Sequence, residues 1–304
     1  MNVLLTGSSG FVGSVLNKKL LNNDFNIFTT TRNKNNVGSK VLYCDFLEEA
    51  IPSDLLENID IVFHLAGFAH NLQGDKKTEH LYKKINLEAT ISLIDMAVKK
   101  NVKKFVFISS VKAGGLPNKG NCSNEEDQNI PDGVYGETKL KAEKYLLKIG
   151  KKNGMHVSVI RPSLVYGFGM KGNLKLMLSR ITKGFFPPLP ETFNRRSMVH
   201  VDDLVESILI ISNSENTNGE VYIVTDGINY SSRNLYDAMC IAAGKKIPAW
   251  SVPKFLFDII ALTNPRIKYK INKLFGDECY SSKKLNELGF KPQRTLKDIN
   301  ETSF

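Results

Sequence analysis

Two short patterns in this chain place groups that could do chemistry. Tyr135 and Lys139 stand four positions apart in Tyr135-Gly136-Glu137-Thr138-Lys139. Gly7, Gly10 and Gly13 punctuate Gly7-Ser8-Ser9-Gly10-Phe11-Val12-Gly13, whose last glycine lies 122 residues before the tyrosine. On a helix, a spacing of four puts the phenol and the ammonium on one face. A free phenol ionises near about pH 10, so work near neutrality needs a positive neighbour that favours phenolate. Lys139 would supply one charge, and a drop of about three units corresponds to roughly 4 kcal/mol. The glycine run follows the apolar Val3-Leu4-Leu5 and opens a helical pattern. Glycine there lets the backbone approach a pyrophosphate, and the helix amino terminus faces it with free N–H groups. The two patterns together imply hydride transfer involving a dinucleotide, with tyrosine as the proton carrier.

Those groups need a scaffold. Apolar runs near residues 3–6, 26–30, 40–43, 61–65, 105–109 and 157–161 predict strands, and 220–225 predicts one more. Helical patterns lie between them near 11–22, 82–100 and 134–152. Alternation of this kind predicts an α/β fold, a doubly wound parallel sheet with ligands beyond the carboxyl ends of its strands. Ser109-Ser110 close the fifth strand, so the Ser110 hydroxyl would point into the ligand crevice beside the tyrosine. The second strand ends Thr29-Thr30-Thr31-Arg32, with no acidic residue at that point to accept from a ribose 2′-hydroxyl. Arg32 could instead pair with a 2′-phosphate, which favours NADP over NAD.

Composition narrows the class further. The 304 residues are 42% hydrophobic, enough for one large domain and a smaller lobe. The formal net charge of +10 admits nucleic acid, membrane or an anionic small substrate as partner. The lysines are spread out, which reads first as a solvated surface. Cys44, Cys122, Cys240 and Cys279 show no metal-type spacing and suggest no disulfide framework, so a cytoplasmic location is expected. His64, His70, His80, His156 and His200 form no zinc pair, and no metal is expected. No apolar run approaches the ~18 residues of a membrane span, so no membrane insertion is expected. The run from Phe255 to Leu262 predicts a buried helix or a subunit contact.

The ordered set of glycine loop, strand-end serine and Tyr-Lys pair resembles the extended short-chain dehydrogenase/reductase family, in particular its nucleotide-sugar epimerase/dehydratase group. The resemblance spans essentially the whole chain. It implies a Rossmann-type sheet with an interleaved, C-terminal substrate lobe: residues 1–165 and 197–226 for the NAD(P), residues 166–196 and 227–304 for the nucleotide sugar. Gly7, Gly10, Phe11, Val12 and Gly13 match the family's cofactor loop. Asp45 and Phe46 resemble its adenine-side residues, and Leu65, Ala66 and Gly67 the loop beneath the cofactor. Asn86 matches an Asn of the following helix, and Ser110, Tyr135 and Lys139 match the catalytic trio. Arg161 to Gly167 resembles the segment leading into the substrate lobe.

Three features bear on the sugar chemistry. Val111-Lys112 stands where sugar 4,6-dehydratases carry an Asp-Glu pair, which disfavours dehydration. Lys112, Asn173 and Arg196 resemble substrate contacts, Arg196 matching a pyrophosphate-binding arginine. Ser-Ser-Val-Lys with Arg-Arg-Ser-Met-Val is similar to reductases that make UDP-N-acetylquinovosamine, and also occurs among UDP-hexose 4-epimerases. Leu274 to Asp277 offers no distal arginine, and Lys273 is a poor stand-in. The sequence therefore leads to a 4-ketoreductase of a UDP-linked amino sugar, with a 4-epimerase as the alternative. The basic charge alone supports a third reading, a cofactor-sensing or RNA-binding protein, and the intact Tyr135 and Lys139 argue against it and against a nucleic-acid partner. The family resemblance also implies a homodimer through helices like 82–100 and 134–152.

Overall fold

Val3 and Leu5 pack into one apolar core and Leu4 into another, so the first strand must lie between two layers. The computed structural model describes residues 1–23, 25–48, 51–69, 76–118 and 120–300; His70 lies outside them. Its strands are β1 (Asn2–Thr6), β2 (Asn26–Thr31), β3 (Val41–Tyr43), β4 (Ile61–His64), β5 (Lys104–Ile108), β6 (His156–Pro162), β7 (Leu164–Tyr166), β8 (Arg196–His200), β9 (Val221–Val224) and β10 (Asn229–Tyr230). Seven of them form one parallel sheet in the order β3-β2-β1-β4-β5-β6-β9. The expected Rossmann-type sheet is present. Strand order reverses between β1 and β4, which opens a crevice at their carboxyl ends.

The main helices are α1 (Phe11–Leu21), α2 (Lys76–Leu81), α3 (Ala89–Lys99), α4 (Val111–Gly114), α5 (Gly133–Asn153), α6 (Gly172–Thr182), α7 (Val201–Asn213), α8 (Ser232–Ala242), α9 (Lys254–Thr263) and α10 (Pro265–Phe275). Leu16 and Leu20 of α1 and Leu204 and Ile208 of α7 cover one face of the sheet. Leu93 and Ile94 of α3 and Ala142 and Leu146 of α5 cover the other. Between α2 and α3 the helix widens to a π-helical stretch, Tyr82–Glu88, which the helical pattern read over 82–100 did not distinguish. Such bulges commonly mark functional positions, and this one carries Asn86.

A second sheet, β10-β8-β7, lies beside a third core built from Tyr166, Leu174, Met177, Met198, Tyr236 and Met239. The chain enters this part with β7, returns for α7 and β9, and leaves again after Asp226. Leu285 and Phe290, late in the chain, come back to the core under α7.

One expectation is corrected outright, and of the two alternatives for residues 255–262 the buried helix is not found. Cys122 and Cys279, 157 residues apart with Cα atoms 4.5 Å apart, form a disulfide. Their neighbours pair as well, with Ser123 N donating to Cys279 O at 3.0 Å and Ser281 N to Ser123 O at 2.9 Å. The pairing is made by the fold, so no local spacing announces it. Cys44 and Cys240 are free and buried. The run from Phe255 to Leu262 is a helix, but only Phe257 and Ala261 of α9 are buried. Among the described residues, no helix is long and apolar enough to cross a membrane.

Candidate active site

The glycine loop joins β1 to α1 at the crevice. Gly7 has φ +75°, and a Cβ there would sit 2.7 Å from Ala66 N. A Cβ on Gly13 would be driven into the Gly7 carbonyl, so the first turn of α1 can lie against the loop only without one. Gly10 caps α1 without a side-chain hydrogen bond, and the first turn holds no acidic residue. The helix terminus therefore keeps N–H donors and the positive end of its dipole for an anion. This cradle fits the pyrophosphate of a dinucleotide. Gly13→Ala is expected to cost about 1–3 kcal/mol of stability and to weaken dinucleotide binding in the same protein. Calorimetric titration with NAD(H) and NADP(H) reads the second effect; wild-type affinity in the variant would remove the loop from the site.

The floor of the crevice is a polar thread through β1 and β4. Thr6 Oγ1 lies 2.7 Å from His64 Nδ1, and His64 Nε2 lies 2.9 Å from Thr90 Oγ1. Thr6 Oγ1 also accepts from Ala66 N at 3.2 Å, which fixes the start of the Leu65–Gly67 loop. Asn86 Oδ1 accepts from Phe68 N at 2.7 Å, and its Nδ2 donates to Phe68 O at 2.9 Å. The fully buried Asn86 thus clamps the far end of the loop. Burial, aided by the Lys139 charge, brings the His64 imidazole down to about 3 from 6.5. The unfolded chain takes up a proton that the folded one refuses between these values, so stability falls as pH drops from 6.5 towards 3. The slope is about 1.4 kcal/mol per pH unit for this group. Urea midpoints across that range should fall more steeply in the wild type than in His64→Asn; equal slopes would remove His64 from the acid response.

Tyr135 and Lys139 occupy the first turns of α5, and Ser110 caps α4 just beyond β5. Lys139 is buried, and its Nζ donates to Ile108 O at 2.9 Å and lies 4.5 Å from the centre of the Phe107 ring. A Cβ on Gly67 would come within 3.4 Å of the same Nζ, so the ammonium lies against the Leu65–Gly67 loop. Burial brings Lys139 down to about 8, with Glu143 opposing. The Tyr135 ring packs edge-on against Tyr82 at 5.8 Å. Burial raises its phenol, while Lys112 and a hydrogen bond from Ser110 pull it down. Lys112 Nζ stands 5.9 Å from the centre of that ring. Lys139 Nζ, on the same face of α5, is turned to the Ile108 carbonyl.

The residues that hold this face were missed in the sequence. Glu143 lies one further turn along α5 and is 1% exposed. Arg161 of β6 donates to it through Nη2 at 2.6 Å and Nε at 3.0 Å. Glu143 Oε1 also accepts from the Ser109 hydroxyl. A carboxylate this deep needs all three donors. The signal was available: Tyr135, Lys139 and Glu143 repeat at intervals of four.

On the substrate side, Asp132 joins Lys112 (3.2 Å) and Lys273 (3.7 Å) three residues before Tyr135. Burial works against the Asp132 charge, yet the two lysines hold its carboxyl below the ordinary range. Lys273 is thereby brought to the amino end of α5. Arg196 is buried, with Nη1 3.2 Å from Glu278 Oε2 and Nη2 donating to Lys273 O. Among the described residues its Nε has no partner. Asn173 is exposed in the first turn of α6. Arg32 is exposed beyond β2, and Asp45 accepts from Leu47 N at 3.0 Å just beyond β3. Phe46 is buried edge-on against His64. The structure thus gathers the glycine loop, Leu65–Gly67, Asn86, Ser110, Tyr135 and Lys139 at one crevice, and sets Lys112 and Lys273 on its rim.

Comparison with known proteins agrees with this fold. The model of the NAD dependent epimerase/dehydratase family matches residues 3–225. A UDP-glucose 4-epimerase of Vibrio cholerae is 33% identical, over 98% of this chain and 92% of that protein. An N-acetyl-alpha-D-glucosaminyl-diphospho-ditrans,octacis-undecaprenol 4-epimerase of Escherichia coli O157:H7 is 27% identical, over 97% of this chain and 92% of its own. Among solved structures, a UDP-glucose 4-epimerase from Thermotoga maritima crystallised with UDP-glucose superposes with a TM-score of 0.79 at 23% identity, covering 100% of this chain and 97% of that one. With the family model and the full-length relative both meeting a doubly wound sheet and its Ser-Tyr-Lys crevice, this chain belongs to the NAD-dependent epimerase/dehydratase family and is an enzyme of the extended short-chain dehydrogenase/reductase type.

Proposed function

We propose that this enzyme inverts C4 of a UDP-linked sugar by removing and returning a hydride there. The observation that carries the reading is the convergence of Ser110, Tyr135 and Lys139 beside the glycine loop. The 33% identity to a UDP-glucose 4-epimerase over nearly the whole chain supports the choice of reaction. The dinucleotide, when bound, supplies the hydride acceptor and, while oxidised, one more positive charge. The glycine loop and the amino end of α1 would hold its pyrophosphate, Asp45 and Phe46 its adenine side, and Lys139 with Leu65–Gly67 its nicotinamide ribose. Tyr135 takes the proton from the sugar 4-hydroxyl and later gives it back. Ser110 donates to the phenol oxygen and orients the sugar oxygen. Lys112 favours the phenolate across the ring face. The diphosphate would meet Asn173 on α6 and the Arg196 guanidinium, with Lys112 and Lys273 adding charge. A homodimer through the outer faces of α3 and α5 accompanies this reading.

A second reading, a 4-ketoreductase drawing on NADPH, is favoured by Arg32, exposed just beyond β2, whose guanidinium would pair with a 2′-phosphate. One assay separates the two. The purified protein is offered UDP-glucose, UDP-N-acetylglucosamine, a UDP-4-keto-6-deoxy sugar and a polyprenyl-diphosphate-linked N-acetylglucosamine, the last because the Escherichia coli relative is named for that substrate class. Epimerisation yields the C4 epimer with no net use of reduced cofactor. Stoichiometric NADPH oxidation on the keto sugar alone would replace the first reading by the second.

A further inference from the structure

The hairpin of α9 and α10 leaves an apolar face uncovered. α9 is apolar around most of its circumference, but only Phe257 and Ala261 are buried. Phe255, Ile259, Ile260 and Leu262 are between 49% and 81% exposed. On α10 the single buried residue is Ile271, and Ile267 one turn before it is 36% exposed. Every residue from 262 to 270 is exposed. A contiguous apolar surface of this kind on a globular protein normally meets a partner. The cations beside it are Arg266, Lys268 and Lys270. Asp258 is the only acidic residue from 254 to 275, and Lys254 already holds it at 2.8 Å.

We propose that this hairpin docks the enzyme onto an anionic lipid surface, with Ile259 and Leu262 entering the boundary between headgroups and acyl chains and Arg266, Lys268 and Lys270 meeting the headgroup phosphates. Apolar residues flanked by lysine and arginine are the chemistry of an interfacial helix. Charge decides between occupants. A second copy of this chain would bring the same three cations to the same face, within a protein that carries +10 overall, whereas an anionic bilayer complements them. The hairpin lies at the interface and does not cross it. Its far end reaches the active site, since Lys273 near the end of α10 is 3.7 Å from Asp132, three residues before Tyr135. Docking would therefore turn the rim of the catalytic crevice towards the headgroups. The inference is independent of the proposed reaction.

Full-length protein is sedimented with vesicles of equal parts phosphatidylglycerol and phosphatidylcholine, and with phosphatidylcholine alone. Binding is expected to the anionic vesicles only, to weaken with added salt, and to weaken about tenfold for each of Ile259→Asp and Leu262→Asp. Unchanged melting temperature and dinucleotide affinity in both variants assign the loss to the surface. No binding to the anionic vesicles at low salt overturns the proposal. Binding that both variants retain also overturns it, because charge alone then holds the protein. A wild-type dimer that Leu262→Asp dissolves overturns it too, since a second copy then covers the face.

Discussion

Tyr135→Phe is expected to lower kcat by about 10²- to 10⁴-fold, the range of a lost general acid–base group, and to leave dinucleotide affinity near wild type. The substitution removes one oxygen and keeps the ring that packs against Tyr82 at 5.8 Å, so the crevice keeps its shape. Ser110 cannot replace the phenol; its place is to donate to that oxygen. Lys139 cannot replace it either, because its Nζ is committed to Ile108 O at 2.9 Å. Single-turnover kinetics with a competent sugar, beside a dinucleotide titration, reads both halves of the expectation. Turnover within a few-fold of wild type would mean that another group moves the proton, and the mechanism above would fall with it.

Arg161→Met should be the most destabilising of the single changes considered. It leaves Glu143 buried with the Ser109 hydroxyl and no cation, and breaking such a pair from one side costs about 3–5 kcal/mol. The loss appears as a lower urea midpoint. Replacing Glu143 as well, in Glu143→Leu with Arg161→Met, should recover much of it, because two apolar groups of similar size leave no orphaned charge. A double variant no more stable than Arg161→Met would show that the pair does more than neutralise itself. Catalysis provides the second readout. Glu143 shares the α5 face with Lys139 and opposes the fall in its protonation, so the alkaline limb of the pH–rate profile should move to lower pH in Glu143→Gln.

Much of this was legible in the residues. Val3, Leu4 and Leu5 alternate between two cores, and such buried parallel strands are continuous apolar runs that any reading of hydropathy finds. Tyr135 and Lys139 were legible because helical spacing converts directly into a shared face. Other parts depend on contacts that no local pattern encodes. β7, β8 and β10 lie outside the main sheet, where no alternation of apolar runs with helical patterns marks them. The π-helical widening at Tyr82–Glu88 reads in sequence as ordinary helix. For α9 apolar content left open a buried helix or a subunit contact, because a sequence does not show which neighbours cover a helix; it packs along one narrow stripe. Arg196 looked like a free fork of donors, and its partner Glu278 lies 82 residues away. Lys273 meets Asp132 only through the fold, from far along the chain, which no local pattern announces.

The bond between Cys122 and Cys279 closes a loop of the chain that contains both Tyr135 and Arg196. A protease clip anywhere inside that loop would leave two pieces still joined. They would migrate as one band on a non-reducing gel, and only a thiol would part them. Size alone would then misreport such a preparation as intact.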